Sequence, residues 1–126
     1  MKEEKSQVAK QKPELYLLTR AYEMLNHTMT ILTNKKHFAP KYKVLVEKIE
    51  KIAINIPLLI SEGNKHKNKR VECGMEAVRN IDDMLALIEI LYRINSNFGA
   101  RSLNAWKSKI CDVKYITLAW IKSAKN

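Results

Sequence analysis

The stretch Ala77-Val78-Arg79-Asn80-Ile81-Asp82-Asp83-Met84-Leu85-Ala86-Leu87-Ile88-Glu89-Ile90-Leu91 sets the fold class. Its apolar positions Ala77, Ile81, Met84, Ile88 and Leu91 recur at alternating steps of four and three. That spacing lays a stripe along one side of a helix, and it is too regular and too long for a strand. Three other stretches share the rhythm. Upstream, the stripes are Leu15, Leu18, Tyr22, Leu25, Met29 and Leu32, then Leu45, Ile49, Ile52, Ile56 and Leu59. Downstream run Leu103, Trp106, Ile110, Val113, Thr117 and Trp120. Four amphipathic helices of similar length bury one another best in an all-α, antiparallel up-and-down four-helix bundle.

At 126 residues the chain reads as one domain, long enough to bury a core without a metal or a disulfide. Residues 1–12 read as a disordered basic leader, with Lys2, Lys5, Lys10 and Lys12 against Glu3 and Glu4, and the bundle domain occupies 13–126. Pro13 and Glu14 suit the first turn of a helix. The first loop is expected over Asn34–Pro40 and the second helix from Lys41 to Glu62, with Gly63-Asn64 as its stop and a kink or broken turn at Pro57. The third helix is expected over Lys69–Ser96. Asn97, Phe98 and Gly99 then form a turn, and Ser102 caps a last helix ending near Ser123. Cys73 and Cys111 fall inside helices and read as reduced, core-filling residues of a cytoplasmic protein. No apolar run resembles a signal peptide or reaches the length of a membrane span.

Lys and Arg number 23 against 13 Asp and Glu, a net charge of +10. Such an excess concerns partners, not fold, and points to nucleic acid or an anionic surface. It is unevenly placed. The third helix is acidic, with Glu72, Glu76, Asp82, Asp83 and Glu89 against Arg79 and Arg93. The connection before it holds Lys65, Lys67, Lys69 and Arg70 with no acid. The first loop contributes Lys35, Lys36, His37, Lys41 and Lys43. From Arg101 onward six bases face Asp112 alone. The candidate nucleic-acid contacts are therefore Lys35, Lys36, Lys65, Lys67, Lys69, Arg70, Lys107, Lys109 and Lys114. Two basic ends joined by a basic last helix would form an extended positive surface. Phe38, alone in a loop, either stacks on a base or caps the core. Apolar width beyond one seam on the second and third helices points to a homo-oligomer.

No catalytic constellation stands out. The chain has no Gly-rich phosphate loop, no His pair at helical spacing and no Cys-x-x-Cys, so neither an enzyme, a metal site nor a cofactor is expected. Asp82 and Asp83 are adjacent on a helix and diverge, which suits solvation or pairing with bases of another helix. A surface membrane binder is disfavoured because the core needs the Trp and Ile stripe of the last helix.

The segment Ile52-Ala53-Ile54-Asn55-Ile56-Pro57-Leu58-Leu59-Ile60-Ser61-Glu62-Gly63 resembles the second-helix signature of the four-helix-bundle proteins encoded in 23S ribosomal RNA intervening sequences. Ala21, Tyr22 and Leu25, together with the terminal Trp120-Ile121-Lys122, are similar to the related accessory variability determinants (Avd) of diversity-generating retroelements. Leu118-Ala119 stands where those proteins usually have Gly-Gly. Glu62-Gly63-Asn64 is intermediate between the two branches, and the terminal Trp-Ile-Lys favours the Avd branch. The resemblance implies a homopentamer with a positive outer surface that binds a reverse transcriptase and RNA or DNA during mutagenic copying. The intervening-sequence branch would instead bind ribosomal RNA. From the residues alone, a structural interaction module whose charge merely keeps it soluble is the remaining alternative.

Overall fold

The structure, a computed structural model, describes residues 13–34, 38–95 and 98–125. The leader at 1–12, the candidates Lys35 and Lys36 with His37, and Asn97 of the expected third turn lie outside the described residues. The rest forms four helices packed against each other, with no strand among the described residues: α1 Pro13–Leu32, α2 Lys43–Lys65, α3 Arg70–Ile94 and α4 Gly99–Lys125. Short 3-10 turns at Pro40–Tyr42 and Lys67–Lys69 lead into α2 and α3. Each helix touches the next in sequence, and α4 returns to α1, so the ring of neighbours is closed.

The stripes of α3 and α4 enter the core as the spacing predicts. Ala77, Ile81, Met84, Ile88 and Leu91 are fully buried, and so, within a few per cent, are Leu103, Trp106, Ile110, Val113, Thr117 and Trp120. In α1 the seam is different. Leu17, Ala21, Met24, Thr28 and Leu32 face inward, while Leu15 is 50% and Tyr22 53% exposed. The expected stripe thus lies about one residue, or roughly 100°, off the buried one. The physical reason is a partner: the indole Nε1 of Trp106 donates to Thr28 Oγ1 at 2.9 Å, and it meets that acceptor only with Thr28 turned inward. In α2 Ile49 and Ile56 are buried as expected, but Ala53 and Ile60 replace Ile52 and Leu59 as fully buried positions.

Two helix boundaries move for identifiable reasons. Pro57 is buried and α2 continues as helix through it to Lys65. Gly63 does not stop that helix but lies under Trp120: a Cβ there would come within 2.4 Å of the indole. Gly74 on α3 meets Ile121 in the same way. The absent side chains let α2 and α3 close on the last turns of α4. At the other boundary α4 starts at Gly99, whose φ of +75° turns the chain sharply out of Phe98, so Ser102 falls inside the first turn.

Phe98 is the plug of that end. It is almost wholly buried and lies 5.5 Å, centroid to centroid, from both Phe38 and Tyr92, and 6.2 Å from Trp106. Phe38 therefore caps the core. Tyr42 Oη donates to the Ile94 carbonyl at 3.1 Å, tying the start of α2 to the end of α3. At the opposite end Asn64 Nδ2 donates to the Glu14 carbonyl at 3.1 Å, joining the end of α2 to the start of α1. Both cysteines are free thiols, and burial together with Glu62 and Glu72 pushes the Cys73 thiol above its ordinary value. No helix among the described residues is long and apolar enough to cross a membrane.

Candidate nucleic-acid interface

The α2–α3 connection carries the densest run of cations, and the fold adds to it. Arg70, on the first turn of α3, places its guanidinium 5.3 Å from the Trp120 ring centroid and donates from Nε to the Gly63 carbonyl at 3.3 Å. Arg70 thus holds the last turns of α4 against the connection. Lys122 and Lys125, both exposed, follow Trp120 directly and come to the same end as Lys65, Lys67 and Lys69. Asn64 brings Glu14, at the start of α1, there too.

Acids offset only part of this charge. Glu62 Oε1 lies 3.7 Å from Lys69 Nζ and 3.9 Å from His66 Nε2. Lys65, Lys67, Lys122 and Lys125 have no acidic partner among the described residues.

The candidates on α4 meet a different environment. Lys107 Nζ donates to Glu89, and Lys114 Nζ donates to Asp82 Oδ1 at 2.7 Å. These contacts sit seven residues apart on both helices and lace α4 to the acidic face of α3, which is where Asp82 finds its partner. The hydrogen bond from Lys107 lowers the Glu89 carboxyl below its ordinary value, and that to Asp82 raises the Lys114 ammonium. Both lysines are therefore drawn out of the continuous positive stripe expected along the last helix. Lys109 points elsewhere, into a shallow groove between α1 and α4 beside Arg20, Glu23 and Asp112. It faces His27, whose imidazole is held below its ordinary value first by burial and then by the Lys109 charge.

Of the sequence candidates, the structure brings Lys65, Lys67, Lys69 and Arg70 together and leaves Lys107, Lys109 and Lys114 apart on the flank of α4. Lys35 and Lys36 lie outside the described residues. Lys122 and Lys125 were missed as site residues. Their charge was legible in the sequence, but their position depends on the Gly63–Trp120 contact, which joins residues far apart in the chain. The same contact seats Gly63 of α2 against Trp120 of α4, and Ile121 beside it meets Gly74 of α3. The fold and this end together define a basic all-helical bundle. Comparison of the chain with known protein families, with curated proteins and with solved structures finds no match.

Proposed function

We propose that this chain is a non-enzymatic cytoplasmic scaffold that binds the phosphate backbone of RNA or DNA. In this reading it acts as an accessory to the reverse transcriptase of a diversity-generating retroelement. Its helices run up and down in an antiparallel bundle, a reading supported by Asn64 on Glu14, Tyr42 on Ile94, and the paired contacts Lys107–Glu89 and Lys114–Asp82. The observation that carries the function is the gathering of Lys65, Lys67, Lys69 and Arg70 with Lys122 and Lys125 at one end of a chain of net charge +10.

Cations so placed would displace condensed counterions and hold a backbone without reading its sequence. Lys107 and Lys114 would engage a phosphate only by giving up Glu89 and Asp82, so they contribute less than the unpaired lysines. The reverse-transcriptase role rests on the resemblance of the Ile-Pro, Ser-Glu-Gly and Trp-Ile-Lys segments. Several copies acting together would turn weak contacts into useful avidity.

The test is fluorescence anisotropy of labelled RNA and DNA duplexes titrated with the protein at several salt concentrations. Binding that weakens steeply with salt is expected. Replacing Lys65, Lys67 and Lys122 together by Gln should reduce the salt slope by about 2 to 3 units while leaving helicity intact. Binding by the triple variant identical to that of the native chain would overturn the assignment of this end.

A further inference from the structure

We propose that the groove between α1 and α4, walled by Tyr16 and Tyr115, holds an unpaired base of a single-stranded nucleic acid whose backbone lies on the basic end. This deepens the phosphate-backbone reading above and rests on it.

The first observation is an aromatic side chain without a partner. Tyr115 is 67% exposed and makes no hydrogen bond or ring contact among the described residues. Across the groove Tyr16 is held in place. Arg20 Nε donates to its Oη at 3.1 Å, and the guanidinium lies 5.3 Å from its ring centroid. Asp112 and Ile116 complete the lining of a space of about 270 Å³. That is just below the roughly 300–1,000 Å³ that drug-sized ligands occupy, so it suits a single ring system better than a whole cofactor.

The second observation is charge. Arg20 is taken up by Tyr16 and by Glu23, whose carboxylate lies at 3.2 Å. Asp112 has no ion pair among the described residues. A free carboxylate repels a phosphate but accepts hydrogen bonds from N–H groups, such as the amino edge of a base. Aromatic walls with an acceptor between them therefore suit a flat ring bearing N–H donors and not a backbone. Stacking on such walls is how proteins hold single strands, whose bases are free to turn outward.

The third observation is continuity with the basic end. The bond from Asn64 to the Glu14 carbonyl brings the start of α1 there, and Tyr16 follows two residues later. On α4, Lys122 lies seven residues beyond Tyr115, so the two share one side of the helix about 10 Å apart along its axis. Both are exposed. Six residues before Tyr115, Lys109 lines the continuation of the groove, also without an acidic partner among the described residues. The base position thus has a free cation on each side along α4, where the phosphates flanking a bound base would lie.

Fluorescence anisotropy with a labelled single strand, and with the duplex of the same length, tests this at one fixed salt concentration. Tyr115→Ala should weaken single-strand binding by about 5- to 100-fold and leave duplex binding within about 2-fold. Its salt slope should not change, because no charge is removed. Tyr115→Phe keeps the ring and should bind the single strand as the native chain does. A strand carrying 5-bromouracil, irradiated in the complex, should crosslink to Tyr16 or Tyr115. Unaltered single-strand binding by Tyr115→Ala, equal losses for single strand and duplex, or crosslinks confined to other residues would overturn the base site. Salt-sensitive duplex binding alongside any of these would leave the phosphate reading standing, whereas no binding of any polynucleotide at low salt would overturn both.

Discussion

Helices α1 and α4 carry stripes of the same spacing, yet α4 buries every residue of its stripe and α1 leaves part of its own in solvent. The two differ in what flanks the stripe. In α4 the neighbours are polar or charged, among them Asn104, Lys107, Lys109, Asp112 and Lys114, so only one face can turn inward. In α1 two candidate seams lie side by side. Leu15, Leu18, Tyr22, Leu25 and Met29 form the larger and more apolar one; Leu17, Ala21, Met24 and Thr28 form the smaller. The smaller one is buried. Hydrophobicity ranks faces, but complementarity to the neighbouring helix selects among them, and Trp106 requires an acceptor that Thr28 supplies.

The largest expected effect separates the two stripes directly. Trp106→Ala should lower stability by about 3–5 kcal/mol, enough to leave the chain partly unfolded at ambient temperature. Tyr22→Ala, on the exposed stripe of α1, should stay within about 1 kcal/mol at dilution where the chain is monomeric. Chemical denaturation of both variants checks the contrast, and equal losses would mean that α1 turns its other seam inward.

A smaller change probes the contact that fixes the register. Thr28→Val keeps the shape and removes the hydroxyl, leaving the Trp106 indole N–H buried with no acceptor. The expected loss is about 1–3 kcal/mol, with little change in the slope of the denaturation curve. Thr30→Val, two residues on and exposed, should cost far less.

The smallest effect concerns the side of α1 that faces α4. The native imidazole of His27 titrates below its ordinary value of 6.5, so between the two values the unfolded chain binds more protons than the folded one. Stability should therefore fall as pH drops through 6.5 toward the lowered native value, and it should be flat above. In His27→Gln this slope should diminish in melting curves recorded from neutral to mildly acidic pH. Removing the cation with Lys109→Gln should shift the His27 titration, followed by its imidazole proton resonances, partway back up. An unmoved titration would place Lys109 away from α1.

The basic connection and the flank of α4 repeat the lesson for the site. The run Lys65-His66-Lys67-Asn68-Lys69-Arg70 announces its charge within a single short segment, and the fold keeps it together. Lys107 and Lys114 looked equivalent in sequence because nothing local reveals an acid on another helix. Glu89 and Asp82 are 18 and 32 residues away, and only packing brings them within bonding distance.

The sequence by itself determined that the chain is helical, how many helices it has, and which faces of α3 and α4 are buried, because apolar spacing and flanking charge are local properties. It also determined that the connection before α3 is basic. Tertiary structure alone decided the seam of α1, the passage of α2 through Pro57 to Lys65, the seating of Gly63 beneath Trp120 and the arrival of Lys122 and Lys125 beside the basic run. It decided equally which lysines are tied to acids. Each of these depends on the size, hydrogen-bonding need or charge of a side chain on another helix, which no window along one helix contains.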